Sequence, residues 1–142
     1  MVHNMKKVVV LGGGFAGLEA AINLIKNKFD VTLVSDREFF FLYPISIWIP
    51  TGELPFEKAK IPLKDIQKAW GFDLIIDRVE KLDLSDKKVN LSKQTLSYDI
   101  LIIAFGASKM AHPGIEHPTR SCGRPDNSLL LQAQIDQLLA TG

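Results

Sequence analysis

Apolar and polar positions follow one another along this chain with periods that change several times, and each change marks a predicted element. Val8 to Leu11 is a short β-branched run, the pattern of a buried strand. Phe15 to about Lys28 switches to helical spacing, with Ala16, Ala20, Ile22, Leu24 and Ile25 expected on the buried face and Asn23, Lys26 and Asn27 among the polar positions. Val31 to Ser35 predicts a second buried strand. Glu38 to Pro50, EFFFLYPISIWIP, is dense in aromatics but interrupted by Pro44 and Pro50, too broken for a regular strand or helix. Thr51-Gly52-Glu53 turns the chain, and the stretch from Glu57 to Trp70 becomes helical from Leu63, with Pro62 at the start of that helix. Phe72 to Ile76 reads as a third buried strand. Asp77 to Tyr98 instead alternates apolar and polar residues around turns at Ser85-Asp86 and Lys93-Gln94, which predicts an antiparallel meander with one wet face. Ile100 to Ala104 is a fourth buried strand, followed by a turn over Phe105 to Ser108 and a loop from Ala111 to Arg124. A helix over Asn127 to Ala140, capped at Asp126 or Asn127, comes last.

This order of elements gives an α/β fold: a parallel, Rossmann-like sheet with a small antiparallel β-meander inserted. Right-handed crossovers place strands one, two and three side by side and the fourth on the other flank of the first. The turns after Leu11, Ser35 and Ala104 then surround one crevice at the carboxyl ends of the strands, where such sheets bind ligands. Gly12, Gly14 and Gly17 spell G-x-G-x-x-G where the first strand meets the first helix. Gly12 permits the turn, Gly14 lets a pyrophosphate approach the backbone, and Gly17 lets helix and strand pack closely. The N–H groups of the helix N-terminus would face the phosphates. Ser35-Asp36, roughly 20 residues on, ends the second strand where an acid meets a ribose hydroxyl. The pattern predicts a dinucleotide site; a tight turn with no ligand is the alternative.

Composition narrows the picture further. A net charge of +1 on 142 residues gives no electrostatic case for nucleic acid, and 46% hydrophobic content suits one domain with a true core. Cys122 is the single cysteine, which excludes an internal disulfide, a Cys-x-x-Cys pair and a zinc cluster; no metal site is expected. Met1 to Lys7 lacks a signal-like apolar stretch and no apolar run approaches ~18 residues, so a cytoplasmic setting is expected. The Glu38 to Pro50 aromatics suit either a core-covering loop or a wall for a flat ring system or apolar partner, and could promote homo-oligomers if exposed. The lysines of the meander read as solvated surface, and His112 and His117 as loop histidines.

VVVLGGGFAGLEAA followed by VTLVSD, and later YDILIIAFGAS, resembles the flavin domain of the pyridine nucleotide-disulfide oxidoreductase superfamily. Tyr98-Asp99 with Ala104-Phe105-Gly106 is similar to its second flavin motif, with Phe105 where a Thr is usual. Asp36 to Pro44, DREFFFLYP, with Trp48 and Gly52 beyond, looks like the sulfide:quinone oxidoreductase and type II NADH dehydrogenase branch. Many relatives carry a Glu at the position of Ser35, and Ser35-Asp36 is similar to the sulfide:quinone variant.

The resemblance implies FAD as cofactor. Gly12, Gly14, Phe15 and Ala16, with Gly17 behind them, would hold the pyrophosphate, and Ser35, Asp36 and Arg37 the adenosine end. Val79 would offer its backbone to the adenine, Tyr43 and Pro44 would lie by the isoalloxazine, and Ala104, Phe105 and Gly106 would close over the cofactor. Cys122 stands where sulfide:quinone oxidoreductases carry a cysteine near the flavin, a candidate catalytic residue; an isolated loop thiol is the alternative. Residues 1–108 would be part of an FAD-binding Rossmann-like domain, and 109–142 a loop and helix leading to a second, NAD-type domain. The implied parent enzyme takes electrons from sulfide or NADH and passes them to a quinone. Further domains would supply its peripheral membrane contact, and the chain alone would be an inactive fragment. Two alternatives are another disulfide or ferredoxin reductase, and a stand-alone module binding NAD(H) or an adenine nucleotide.

Overall fold

The structure, a computed structural model, describes residues 5–107 and 125–141. In chain order the elements are β1 (Lys7–Leu11), α1 (Phe15–Lys26), β2 (Asp30–Ser35), β3 (Phe39–Phe41), 3-10 turns at Tyr43–Trp48 and Phe56–Ala59, and β4 (Lys60–Pro62). α2 (Leu63–Trp70), β5 (Asp73–Ile76), β6 (Val79–Asp83), β7 (Lys88–Leu91), β8 (Thr95–Ser97), β9 (Ile100–Ile103) and α3 (Pro125–Thr141) follow. The described residues divide into two compact units, one of 5–40 with 62–107 and the other of 41–61 with 125–141. The sequence reading kept 41–61 with the first domain; here this excursion between two sheet strands groups with the C-terminal helix.

In the first unit, four parallel strands lie in the order β5-β2-β1-β9. This is the expected order, with β9 on the far flank of β1; β5 and β9, expected to be buried, are only partly so, and Ile100 and Ile103 are exposed because β9 and β5 are the edges of the sheet. Side chains alternate between the two faces of each strand. Val9, Leu11 and Val34 point to the face covered by the meander, where they form one core with Val89, Leu91 and Tyr98. β6, β7 and β8 make that meander, all antiparallel. α1 packs on β1 and β2. Its buried residues are Gly17, Leu18 and Ala21, not the predicted face: Ala16 is exposed, while Ala20, Ile22, Leu24 and Ile25 are only half-buried. The close seat of Gly17 on the β1 turn sets the rotation of the helix, so Gly17, Leu18 and Ala21 are buried and Ile22, Leu24 and Ile25 lie at the flanks.

The helix ends in a Schellman motif. Lys28 takes a left-handed φ of 63°, its N–H donates to the Ile25 carbonyl (2.9 Å), and the Phe29 N–H donates to the Leu24 carbonyl (3.1 Å).

Chain 38–50 is more regular than its composition suggests. β3 pairs with β4, and Tyr43–Trp48 is a 3-10 turn with Pro44 in its first positions, where a missing N–H costs nothing. Phe41 and Ile49 are buried, whereas Tyr43, Ile47 and Trp48 are exposed. α3 begins at Pro125, so Asp126 lies in its first turn rather than capping it. Among the described residues, no helix is long and apolar enough to cross a membrane.

Candidate functional site

The carboxyl ends of β1, β2 and β9 meet at the glycine turn. Gly12 donates its N–H to the Val34 carbonyl (2.8 Å), and Ala104 donates its N–H to the Leu11 carbonyl (2.8 Å). The turn needs Gly12 on two grounds: its φ of +118° is closed to ordinary side chains, and a Cβ there would collide with the Ala104 carbonyl oxygen. Gly17 is required by contact alone, since its Cβ would strike the Gly12 carbonyl oxygen.

Gly14 is different. It caps α1 with φ −90° and ψ −168°, angles open to any residue, and no atom lies within 4 Å of where its Cβ would be. Neither backbone nor packing among the described residues requires a glycine there. The helix start beside it has no side-chain cap and no acid in its first turn. Its orphan N–H groups and positive dipole end, with no acid in the helix's own first turn, are suited to an anion.

Ala16 is exposed on that first turn, and the exposed ring of Phe15 rests edge-on against Phe40, centroids 4.7 Å apart. Ser35 is only 4% exposed, and its hydroxyl is committed to the turn: it donates to the Arg37 carbonyl (2.8 Å) and accepts the Arg37 N–H (3.2 Å). The groups that project from the end of β2 are Asp36 and Arg37, paired at 3.5 Å and both exposed. Val79 opens β6, and the ladder is irregular at that point, with a register shift between Val79 and Lys81. Phe105 and Gly106 continue, exposed, beyond β9, and Ala104 is half-buried. Thus the first unit holds Gly12, Gly14, Phe15, Ala16, Gly17, Ser35, Asp36, Arg37, Val79, Ala104, Phe105 and Gly106. Tyr43 and Pro44 belong to the second unit, and Cys122 lies outside the described residues. No cluster of His, Cys, Asp or Glu that could hold a metal occurs among the described residues.

Gly13 escaped the sequence reading. A Cβ there would lie 2.7 Å from the Ser35 hydroxyl oxygen and 3.0 Å from Leu63 Cδ1, so β2 and α2 both press on the turn. The only signal was a third glycine inside Gly12-Gly13-Gly14, redundant with the spaced motif.

The profile of the pyridine nucleotide-disulphide oxidoreductase family matches residues 6–134. The chain belongs to this family. A sulfide-quinone reductase of Aquifex aeolicus is 30% identical over 95% of this chain and 32% of its own length. A type II NADH:quinone oxidoreductase of Staphylococcus haemolyticus is 31% identical over 75% of this chain and 27% of its own. The chain thus spans about a third or less of these relatives' length. Among solved structures, the sulfide:quinone oxidoreductase of Aquifex aeolicus superposes with a TM-score of 0.87 at 29% identity, covering 95% of this chain and 32% of that one.

Proposed function

We propose that this chain carries the FAD-binding unit of an oxidoreductase that passes electrons from sulfide or NADH to a quinone. The observation that carries the reading is Gly14. A glycine that neither its own angles nor its neighbours demand is explained by a ligand lying against its backbone, and the pyrophosphate of FAD has the charge and slenderness to do so. Gly12 and Gly17 hold the turn and the helix in close contact, with the uncapped start of α1 beside Gly14. In this reading Asp36 accepts from a ribose hydroxyl; its exposure at the end of β2 and its pairing with Arg37 support that role. Ser35 supports this arrangement by fixing the turn rather than by reaching the ribose itself. The irregular ladder at Val79 favours a backbone contact to the adenine. When bound, FAD supplies the two-electron chemistry; the protein's part is to hold and orient it.

Titration of the chain with FAD, ADP and NAD tests the reading. FAD and ADP are expected to bind, FAD more tightly than NAD. Preference for NAD, or no binding of FAD or ADP, contradicts it. Reduction of bound FAD by sulfide, compared with NADH, in the whole oxidoreductase then separates the two donors.

A further inference from the structure

The carboxylate of Asp77 sits just past β5, is 8% exposed, and has no part in the site described above. Both of its oxygens are occupied by backbone donors. Oδ1 accepts the Arg78 N–H at 2.8 Å, and Oδ2 accepts the Lys93 N–H at 3.0 Å from the β7–β8 turn. Its own N–H donates to the Ser35 carbonyl at 2.9 Å, extending the β2–β5 ladder one step past Ser35–Ile76. The Arg78 carbonyl in turn accepts the Ser92 N–H at 3.0 Å. Three segments therefore meet at one residue: the end of β2 through the Asp77 backbone, and the crossing from β5 to β6 and the far turn of the meander through its side chain. Each bond satisfies a backbone donor at a part-buried position, where an unpaired donor is costly.

We propose that Asp77 is the positioning residue for the adenosine end of the nucleotide site, holding Arg78 and Val79 beside Ser35-Asp36-Arg37; this rests on the FAD reading. Val79 pairs with Leu91, but the register shift between Val79 and Lys81 sets that pair off from the rest of the β6–β7 ladder. The start of β6 is held additionally by the residue pair before it, anchored through Asp77. The Val79 side chain packs on the shared core.

Asp83 provides a control. Its Oδ1 accepts the Asp86 N–H at 2.9 Å, another backbone-to-carboxylate bond, at the far end of β6 from Val79. Asp77→Asn and Asp83→Asn are expected both to lower the melting temperature. Below it, Asp77→Asn should raise the Kd for ADP and for FAD by about tenfold, as loss of one such bond implies, and Asp83→Asn by less than about twofold. Should Asp77→Asn not fold, Asp77→Ser, which keeps an acceptor beside the Arg78 N–H, takes its place with the same expectation. Wild-type binding with unchanged affinity in the Asp77 variant overturns the inference alone, as does equal weakening by Asp83→Asn. A wild-type chain that binds neither FAD nor ADP overturns the FAD reading and the inference together.

Discussion

A methyl group added at Gly17 would run into the carbonyl oxygen of Gly12, and one at Gly12 into the carbonyl of Ala104, so the turn is built by successive backbone contacts. Gly17→Ala should therefore destabilise the chain by about 2–3 kcal/mol, as overpacking at a rigid backbone contact does, seen as a lower urea midpoint. A shift below about 0.5 kcal/mol would contradict that packing. The structural roles of Gly12 and Gly17 were legible because the spacing of the motif encodes the geometry of the turn. Gly13 was not, since its constraint comes from Ser35 and Leu63, which reach the turn only after folding. Ser35 shows the same limit. A serine at a strand end can bond a ligand or its own backbone equally well, and only the fold reveals that its hydroxyl is given to Arg37.

At the scale of elements, the C-terminus of α1 carries a small strain. Lys28 occupies the left-handed position of the Schellman motif, which favours glycine. Lys28→Gly is expected to stabilise the chain by about 0.5–1 kcal/mol, measured by thermal melting; a loss of stability would show that the Lys28 side chain contributes there. The helix itself was readable from its periodicity, but its buried face was not. Hydropathy weighs Ile22 and Ile25 above Gly17 and Ala21, whereas a close helix–strand seat needs the small residues inward. The 3-10 turn at Tyr43–Trp48 was hidden for a related reason: Pro44 signals a break unless its place in the first turn is known.

For the first unit as a whole, the strand order followed from the apolar runs and crossover handedness, because few topologies satisfy both. The meander was legible as an insertion, but not as one half of the core. Alternation shows that Val89, Leu91 and Tyr98 share buried faces without showing that those faces meet Val9, Leu11 and Val34. This packing, with the Asp77 knot, brings the β6 start to the carboxyl ends of the parallel strands. A nucleotide bound there would stabilise the fold by mass action, by about 2.7 kcal/mol at a hundred times its Kd. The most direct test is thermal melting of the wild-type chain and of Gly14→Ala, each with and without FAD. Because nothing lies near the Gly14 Cβ, the two proteins should melt close together without FAD, and only the wild type should gain stability when it is added. An equal gain in both, or none in the wild type, would contradict a pyrophosphate seat at Gly14.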